Sequence, residues 1–324
     1  MNRLRAFLEN RQVWIYFAAI LLAVAASSAI PATTALEPSI NPALAFMLFV
    51  TFLQVPLVEL AAAFRNGRFL GALLATNFIA VPILVAGLIW FAPEDPMLRL
   101  AILLVLLTPC IDYVVTFTHL GQGDARSLLA STPILLLVQM LLLPLYLGVF
   151  LGDDAANLVQ PEPFIHAFVW LIAVPLLLAA LVQYASVRFP AGRGLADVLG
   201  VLPVPATALV LFLVTASVMP RIGEASGAAL SAAPIYIAYA AAAPILGWMV
   251  AKAFRAESGA ARAVAFSAAT RNSLVVLPLA FAVPGGIPLL PAVIVTQTMI
   301  ELMSELIYIR VIPRFLSKRG LKGA

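Results

Sequence analysis

The chain has 324 residues, of which 63% are hydrophobic and only 10% are charged, and its mean hydropathy is +1.07. Because soluble domains carry roughly a quarter charged residues, this composition excludes a soluble protein and predicts an all-α membrane protein. The net charge of +4 comes without basic stretches interleaved with aromatic residues, the pattern that nucleic-acid binding requires. We therefore expect no nucleic-acid partner.

Ten segments are apolar and long enough to cross the roughly 30 Å hydrocarbon core of a bilayer as helices. In chain order they are 13–30, 41–62, 69–91, 99–120, 125–151, 163–186, 195–220, 229–254, 260–284 and 289–314. Nearly all of the 19 Lys and Arg residues fall at the chain ends or after an even-numbered segment. Because cytoplasmic loops hold the excess of basic residues, both termini are predicted to be cytoplasmic, in a plasma or inner membrane.

The segments follow one another without a soluble domain, so the sequence predicts a single integral membrane transporter domain over 1–324. We expect two copies of five helices, about 1–155 and 160–324, because an offset of 162 places Gln139 on Glu301 among other weak matches. An odd number of spans inverts the second copy, which gives the inverted repeat common in secondary transporters. Chance similarity between apolar helices is the alternative.

Two segments are interrupted by polar residues near their middles. The fourth contains Thr108-Pro109-Cys110, with Asp112 just beyond, and the ninth contains Thr270-Arg271-Asn272-Ser273, 162 residues later. Polar and charged groups inside the bilayer are costly, so they mark a functional site by default. Counted from the segment ends at 1.5 Å per residue, Cys110 and Arg271 both lie about 16 Å deep. We expect the two breaks to meet.

Each Thr is predicted to be the N-cap of a restarting half-helix, with Pro109 at the first helical position of the earlier one. In transporters, the N-termini of broken helices hold anionic or polar substrate groups near the midplane. A thiol beside such a terminus is more nucleophilic, but a lone cysteine is also commonly a packed structural residue. Both interpretations of Cys110 stay open. The predicted substrate-binding residues are Thr108, Cys110, Asp112, Thr270, Arg271, Asn272 and Ser273.

Three acidic residues are candidates to neutralise Arg271 or to carry a proton. Asp112 and Arg271 are predicted to form a compensating pair, because an unpaired buried charge is costly. Glu301 and Glu305 stand four residues apart and therefore share one face of the tenth segment. One of them is the predicted proton carrier, and a static partner for Arg271 is the alternative role.

An enzyme is the competing class of function. Gly121-Gln122-Gly123-Asp124 fits the Gly-x-Gly-Asp motif of intramembrane aspartyl proteases, but it falls in a predicted cytoplasmic turn and its companion motifs stand in the wrong order. The sequence carries no metal-ligand spacing, phosphate-binding loop or nucleophile elbow. We therefore expect no enzymatic activity, no cofactor and no metal site.

The residues around both breaks carry a family resemblance. The stretch from Thr108-Pro109-Cys110 to Gly123-Asp124 resembles the fourth span of the bile acid:sodium symporter superfamily, and most of all its arsenical-resistance permease branch. Ala269-Thr270-Arg271-Asn272-Ser273 is similar to the ninth-span signature. The resemblance implies ten helices as two inverted repeats, crossing broken helices 4 and 9, and a panel domain that moves against a core domain. For this branch it also implies arsenite export against the proton gradient, with a cysteine at the position of Cys110.

Two differences from the family bear on the coupling ion. Sodium-coupled members carry Glu and Gln where this chain has Ser267 and Arg271, which implies that a tethered guanidinium takes the place of a sodium ion. The arsenite permeases carry a Glu just after their ninth-span Asn, where this chain has Ser273-Leu274. Glu301, Glu305 or Asp112 would then carry the proton.

The predicted function is export of arsenite or antimonite from the cytoplasm by proton-coupled alternating access. The thiol of Cys110 would attach neutral arsenious acid, and Arg271, Asn272 and Ser273 would orient its hydroxyls. The alternative is a transporter of a small organic anion, such as a carboxylate, a sulfonate or a bile-acid-like molecule, driven by sodium, with Arg271 as the counter-charge. The expected partners are the lipid bilayer, a small solute, and a proton in preference to sodium.

Overall fold

The structure is a computed structural model that describes residues 2–54, 66–111, 113–152, 162, 165–166 and 169–317. Within these ranges every regular element is a helix, and β pairing is confined to one isolated antiparallel bridge between Pro109 and Arg271. The prediction of an all-α protein is confirmed.

The described α-helices are α1 (Asn2–Ala29), α2 (Ile40–Phe52), α3 (Gly67–Ala75), α4 (Val81–Ile89), α5 (Pro96–Leu106), α6 (Val114–Leu120), α7 (Ala125–Leu151), α8 (Val174–Arg188), α9 (Pro190–Leu199), α10 (Pro203–Val218), α11 (Ile222–Ala253), α12 (Ser258–Ala269), α13 (Ser273–Phe281) and α14 (Leu289–Ser317). Two 3-10 turns, Pro31–Ser39 and Met219–Arg221, and two π turns, Thr76–Ala80 and Val169–Ala173, adjoin them.

Six helical stretches in the described ranges are long and apolar enough to cross a membrane. They are Arg3–Ala29, Ala32–Phe52, Gly67–Ile89, Ala125–Leu151, Ala225–Ala253 and Leu289–Arg314. A seventh is added if Gly192–Leu199 and Pro203–Val218, which meet at a bend of 46°, form one span. These stretches coincide with seven of the ten predicted segments, so the chain is a multi-pass membrane protein. The count of ten stays a prediction.

The predicted fourth and ninth segments are each split into two short helices. The first consists of α5 and α6, and the second consists of α12 and α13. At the first break Pro109 has no N–H with which to continue a helix. At the second, the N–H of Arg271 donates to the side chain of Glu301 instead of to a carbonyl of the preceding turn. The first interruption therefore has a local cause in the sequence, whereas the second involves a side chain 30 residues further along the chain.

The chain divides into two compact units. Unit 1 comprises Met1–Leu57, Val159–Gly227 and Leu277–Ala292, and unit 2 comprises Val58–Leu158, Ala228–Val276 and Val293–Ala324. Each unit therefore draws on both halves of the chain, and neither coincides with one of the predicted repeats.

In unit 1, α1 packs on α10, α10 packs on α2, and α2 packs on α8. Gln183 of α8 donates its Nε2 to the carbonyl oxygens of Phe52 (3.0 Å) and Leu53 (3.3 Å). This side chain supplies donors for carbonyls that the end of α2 leaves open. The same unit contains a cavity of about 470 Å³ lined by Thr34, Ala35, Glu37, Pro38, Asn41, Phe281 and Ile287.

In unit 2, α11 and α12 approach each other closely at Gly247. A Cβ at this position would lie 2.7 Å from the Cβ of Ala268 and 2.8 Å from the carbonyl oxygen of Val264. Small residues at helix interfaces let membrane helices pack backbone to backbone. Gly247 therefore fixes how near α11 lies to the helix that ends at the second break.

We expect Gly247→Ala to lower the stability of the protein by about 1–3 kcal/mol, because overpacking forces the backbones apart. The measurement is the midpoint of thermal unfolding in detergent. Gly87→Ala is the matched control, since a Cβ at Gly87 would meet nothing within 4 Å and alanine is the better helix former. Equal midpoints for the two variants would contradict the close approach.

Candidate functional site

The two breaks lie against each other in unit 2. The N–H of Cys110 donates to the carbonyl oxygen of Thr270 (3.1 Å), and the N–H of Asn272 donates to that of Thr108 (2.9 Å). All four residues are buried, with at most 1% of their surface exposed. Each break thus satisfies backbone groups of the other, which is the condition for non-helical backbone at membrane depth.

The two hydrogen bonds are related by the offset of 162 residues. Adding 162 to Cys110 and Thr108 gives Asn272 and Thr270. The bond donated by the first break therefore corresponds to the bond donated by the second break. The helices that lead into the breaks, α5 and α12, also begin 162 residues apart. We call the place where the two breaks meet the crossing. The hydrogen bonds between the two backbones at the crossing therefore follow a two-fold pattern.

The prediction that Thr108 and Thr270 cap restarting half-helices is wrong. Thr108 Oγ1 donates to the carbonyl oxygen of Leu104 (2.8 Å), and Thr270 Oγ1 donates to that of Phe266 (2.7 Å). Threonine commonly bonds back in this way to the residue four positions earlier. Both side chains therefore close the half-helix before the break and do not open the one after it.

Cys110 lies in the extended part of the first break and is fully buried. The following helix, α6, begins only at Val114. The thiol is therefore not at a helix N-terminus, and the predicted effect of such a terminus on its nucleophilicity does not apply. Asp112 falls outside the described residues, and so does its predicted pairing with Arg271.

Asn272 caps the half-helix after the second break. Its Oδ1 accepts a hydrogen bond from the N–H of Val275 (3.2 Å). Its Nδ2 is buried and has no hydrogen-bond partner among the residues that the structure describes. Next to it, Ser273 Oγ lies 2.9 Å from Thr298 Oγ1 in a hydrogen bond that joins α13 to α14.

Arg271 is fully buried, and its guanidinium is held by neutral groups. Nη2 donates to Asn77 Oδ1 (2.7 Å) and to the carbonyl oxygen of Ser267, and Nη1 donates to that of Leu106 (3.4 Å). The Tyr239 ring lies with its centroid 5.7 Å from the guanidinium carbon, within range of a cation–π interaction. Among the described acidic side chains, none lies within 4.0 Å of these nitrogens.

Glu301 is enclosed by three donors. Its Oε2 accepts from Gln297 Nε2 (2.6 Å) and from the main-chain N–H of Arg271 (2.6 Å). Its Oε1 accepts from the hydroxyl of Tyr113 (2.6 Å), which lies further, at 3.3 Å, from the carbonyl oxygen of Arg271. An ionised carboxylate is an acceptor only, and three donors suit that form. Glu301 therefore bonds to the main chain of Arg271. The alternative role predicted for it was a static partner for the charge of the Arg271 guanidinium.

Glu305 has different surroundings, although it stands one turn further along α14. Its Oε1 lies 2.6 Å from Thr270 Oγ1, and its Oε2 has no partner among the described residues. A hydroxyl carries one proton, and the carbonyl of Phe266 can only accept it. Both contacts of Thr270 are satisfied together when Glu305 is protonated and donates to Thr270. The site thus contains one carboxylate stabilised as an anion and one suited to holding a proton.

Asn77, Gln297, Tyr113 and Tyr239 contribute to this site, and the sequence reasoning assigned none of them a role in it. A signal existed, because polar side chains inside apolar segments mark functional positions. Asn77 also lies in the π turn of the third segment, and such turns occur frequently at functional sites. Asn77 and Tyr239, which both contact the Arg271 guanidinium, again stand 162 residues apart.

Discontinuous helices that bring polar groups together at membrane depth are the arrangement used by secondary transporters. The chain belongs to the Sodium Bile acid symporter family, whose model matches residues 41–225, more than half of the chain. Members of this family are transporters and not enzymes. The matched residues include the first break and end before the second. Comparison with curated proteins gave no match.

We expect Arg271→Lys to lower the stability of the protein by about 2–4 kcal/mol. A lysine ammonium is a point charge that cannot reach three separate oxygens as the planar guanidinium does, so buried acceptors lose their donors. The measurement is the thermal midpoint of the purified protein. Arg99→Lys is the matched control, because the Arg99 side chain bonds only to carbonyl oxygens near the surface, among them that of Pro93. A midpoint for Arg271→Lys equal to that of the control would contradict this role.

Proposed function

We propose that the chain is a secondary active transporter that exports arsenite or antimonite from the cytoplasm by proton-coupled alternating access. The observation that carries the proposal is the position of the chain's one cysteine. It is buried where the two breaks meet, and its N–H donates to the carbonyl oxygen of Thr270 in the opposite break. Arsenious acid is neutral and reacts with a thiol. A sulfur–arsenic bond forms, and one arsenic hydroxyl leaves as water with the thiol proton. One thiol makes this attachment reversible.

The architecture that we propose is ten helices in two inverted repeats, about 1–155 and 160–324. The two hydrogen bonds between the breaks support it, because an offset of half the chain relates the residues of one bond to the residues of the other. In this proposal unit 2, which contains the crossing, is the core domain and unit 1 is the panel domain. Both termini are cytoplasmic, and the protein lies in the plasma or inner membrane.

The surroundings of Arg271 favour this function over transport of an organic anion. A counter-charge for a bound carboxylate or sulfonate needs donors that face the substrate. The donors on Nη1 and Nη2 instead go to Asn77 and to main-chain oxygens. Nε has no partner among the described residues, but it is buried and the residue has no exposed surface. In our proposal the guanidinium is a built-in cation of the core, and transport does not need sodium.

Glu305 is the proton carrier in this proposal, and Glu301 is a structural anion. Glu301 receives three hydrogen bonds, whereas Glu305 receives one contact and keeps an oxygen without a partner in the described chain. A carboxyl with few fixed donors gains and loses a proton with less disruption of its surroundings. Thr270 links this carboxyl to the backbone of the second break.

We expect Cys110→Ser to reduce arsenite accumulation by everted membrane vesicles at least about tenfold when a proton gradient is imposed. A serine hydroxyl does not replace the sulfur–arsenic bond, which is worth more than one hydrogen bond. Wild-type vesicles should accumulate arsenite equally with and without sodium. Ser217→Ala is the control, since it alters an equally buried side chain in unit 1. Undiminished accumulation by Cys110→Ser would remove the thiol from the mechanism.

We expect Glu305→Gln to abolish accumulation driven by the proton gradient but to retain arsenite exchange at equal concentrations on both sides. A glutamine amide can donate to Thr270, as the protonated carboxyl does, but it cannot release a proton. Glu301→Gln should instead lower the thermal midpoint, because its amide directs hydrogens at groups that are themselves donors. Uphill transport by Glu305→Gln at the wild-type rate would show that the proton is carried elsewhere.

A further inference from the structure

Gln139 is a buried amide for which the described part of the chain supplies no hydrogen bonds. It stands in the middle of α7 with 1% of its surface exposed, and neither Nε2 nor Oε1 has a partner among the described residues. Among the described side chains, it is the only one in which two buried polar atoms both have no hydrogen-bond partner. An unsatisfied buried amide destabilises a protein. A residue that opposes stability in this way is expected at a functional position.

The offset of 162 relates Gln139 to Glu301. Three donors enclose Glu301, from Gln297, from Tyr113 and from the main-chain N–H of Arg271. The corresponding positions are Leu135, Val275 and Pro109. Two of these have apolar side chains and the third has no N–H. The groups that satisfy Glu301 therefore have no counterparts around Gln139.

The same relation places Gln139 next to the first break. Glu301 contacts Arg271, the residue immediately before Asn272. The offset therefore predicts that Gln139 lies near Pro109, the residue immediately before Cys110. In the structure α7, which carries Gln139, packs on α5 and α6, the helices on either side of the first break. The repeat thus predicts neighbouring positions for the amide and the thiol.

An amide presents one donor group and one acceptor group side by side. A hydroxyl both donates and accepts, so a neutral solute with hydroxyl groups uses both halves of the amide, whereas a simple ion uses only one. We propose that Gln139 binds a hydroxyl of a neutral polyhydroxy solute held at Cys110 and thereby selects this class of substrate. The inference rests on the proposed function and on the repeat.

The test compares Gln139→Leu with Gln183→Leu in the purified full-length protein. Gln183 is the matched control, because its amide donates to the end of α2. Without ligand, Gln139→Leu should unfold at the wild-type temperature or above, and Gln183→Leu should unfold below it. With arsenite as the probe, Gln139→Leu should bind about tenfold more weakly than wild type, and Gln183→Leu should bind equally well. A merely structural role would not change arsenite affinity.

Two results would overturn the inference. One is wild-type arsenite affinity in Gln139→Leu. The other is a drop in its ligand-free unfolding temperature to that of Gln183→Leu, the result expected if Gln139 holds a structural water.

A second probe, boric acid, separates this inference from the proposed function. It is a neutral trihydroxy solute without thiol chemistry. If wild type fails to bind arsenite but is stabilised by boric acid, and Gln139→Leu is not, the proposed function fails and the role of Gln139 stands. If wild type binds neither probe, or if boric acid stabilises both proteins equally, the inference is wrong.

Discussion

The structure depends on the hydrogen bonds that two interrupted helices make to each other. In hydrocarbon an unpaired N–H or carbonyl group costs several kcal/mol, so neither break could exist alone. The N–H of Cys110 and the N–H of Asn272 each bond to a carbonyl of the opposite break. This pairing fixes where the thiol and the guanidinium lie, because each belongs to a residue of the paired backbone.

Around this paired backbone the side chains of the two halves differ in chemistry. Among the described residues the second half carries the charges, with Arg271 bonded to neutral oxygens and Glu301 surrounded by donors. The first half carries a proline, a thiol and an amide at the related positions. Similar backbone pairing thus carries charged side chains in the second half of the chain. In the first half it carries a thiol and an amide, which can react or form hydrogen bonds.

The sequence was sufficient to predict helices, the two breaks and their meeting, because polar residues interrupting apolar segments are visible in it. It could not decide the role of Thr108 and Thr270, since a threonine at a break can cap the next helix or bond back to the previous one. It also suggested a carboxylate partner for Arg271. The described partners are Asn77 and main-chain oxygens, and a carbonyl oxygen has no signature in a sequence.

A tethered cation has a consequence for coupling that a bound ion does not have. A sodium ion held by oxygens of the core can leave in each cycle, so its gradient can drive transport. The guanidinium of Arg271 is covalently part of the chain and is held by neutral oxygens, so it can stabilise the crossing but cannot transmit a gradient. Under the proposed function the driving ion must therefore bind elsewhere. The carboxyl group of Glu305 meets that requirement, because it is bonded through Thr270 to the same paired backbone that positions Cys110.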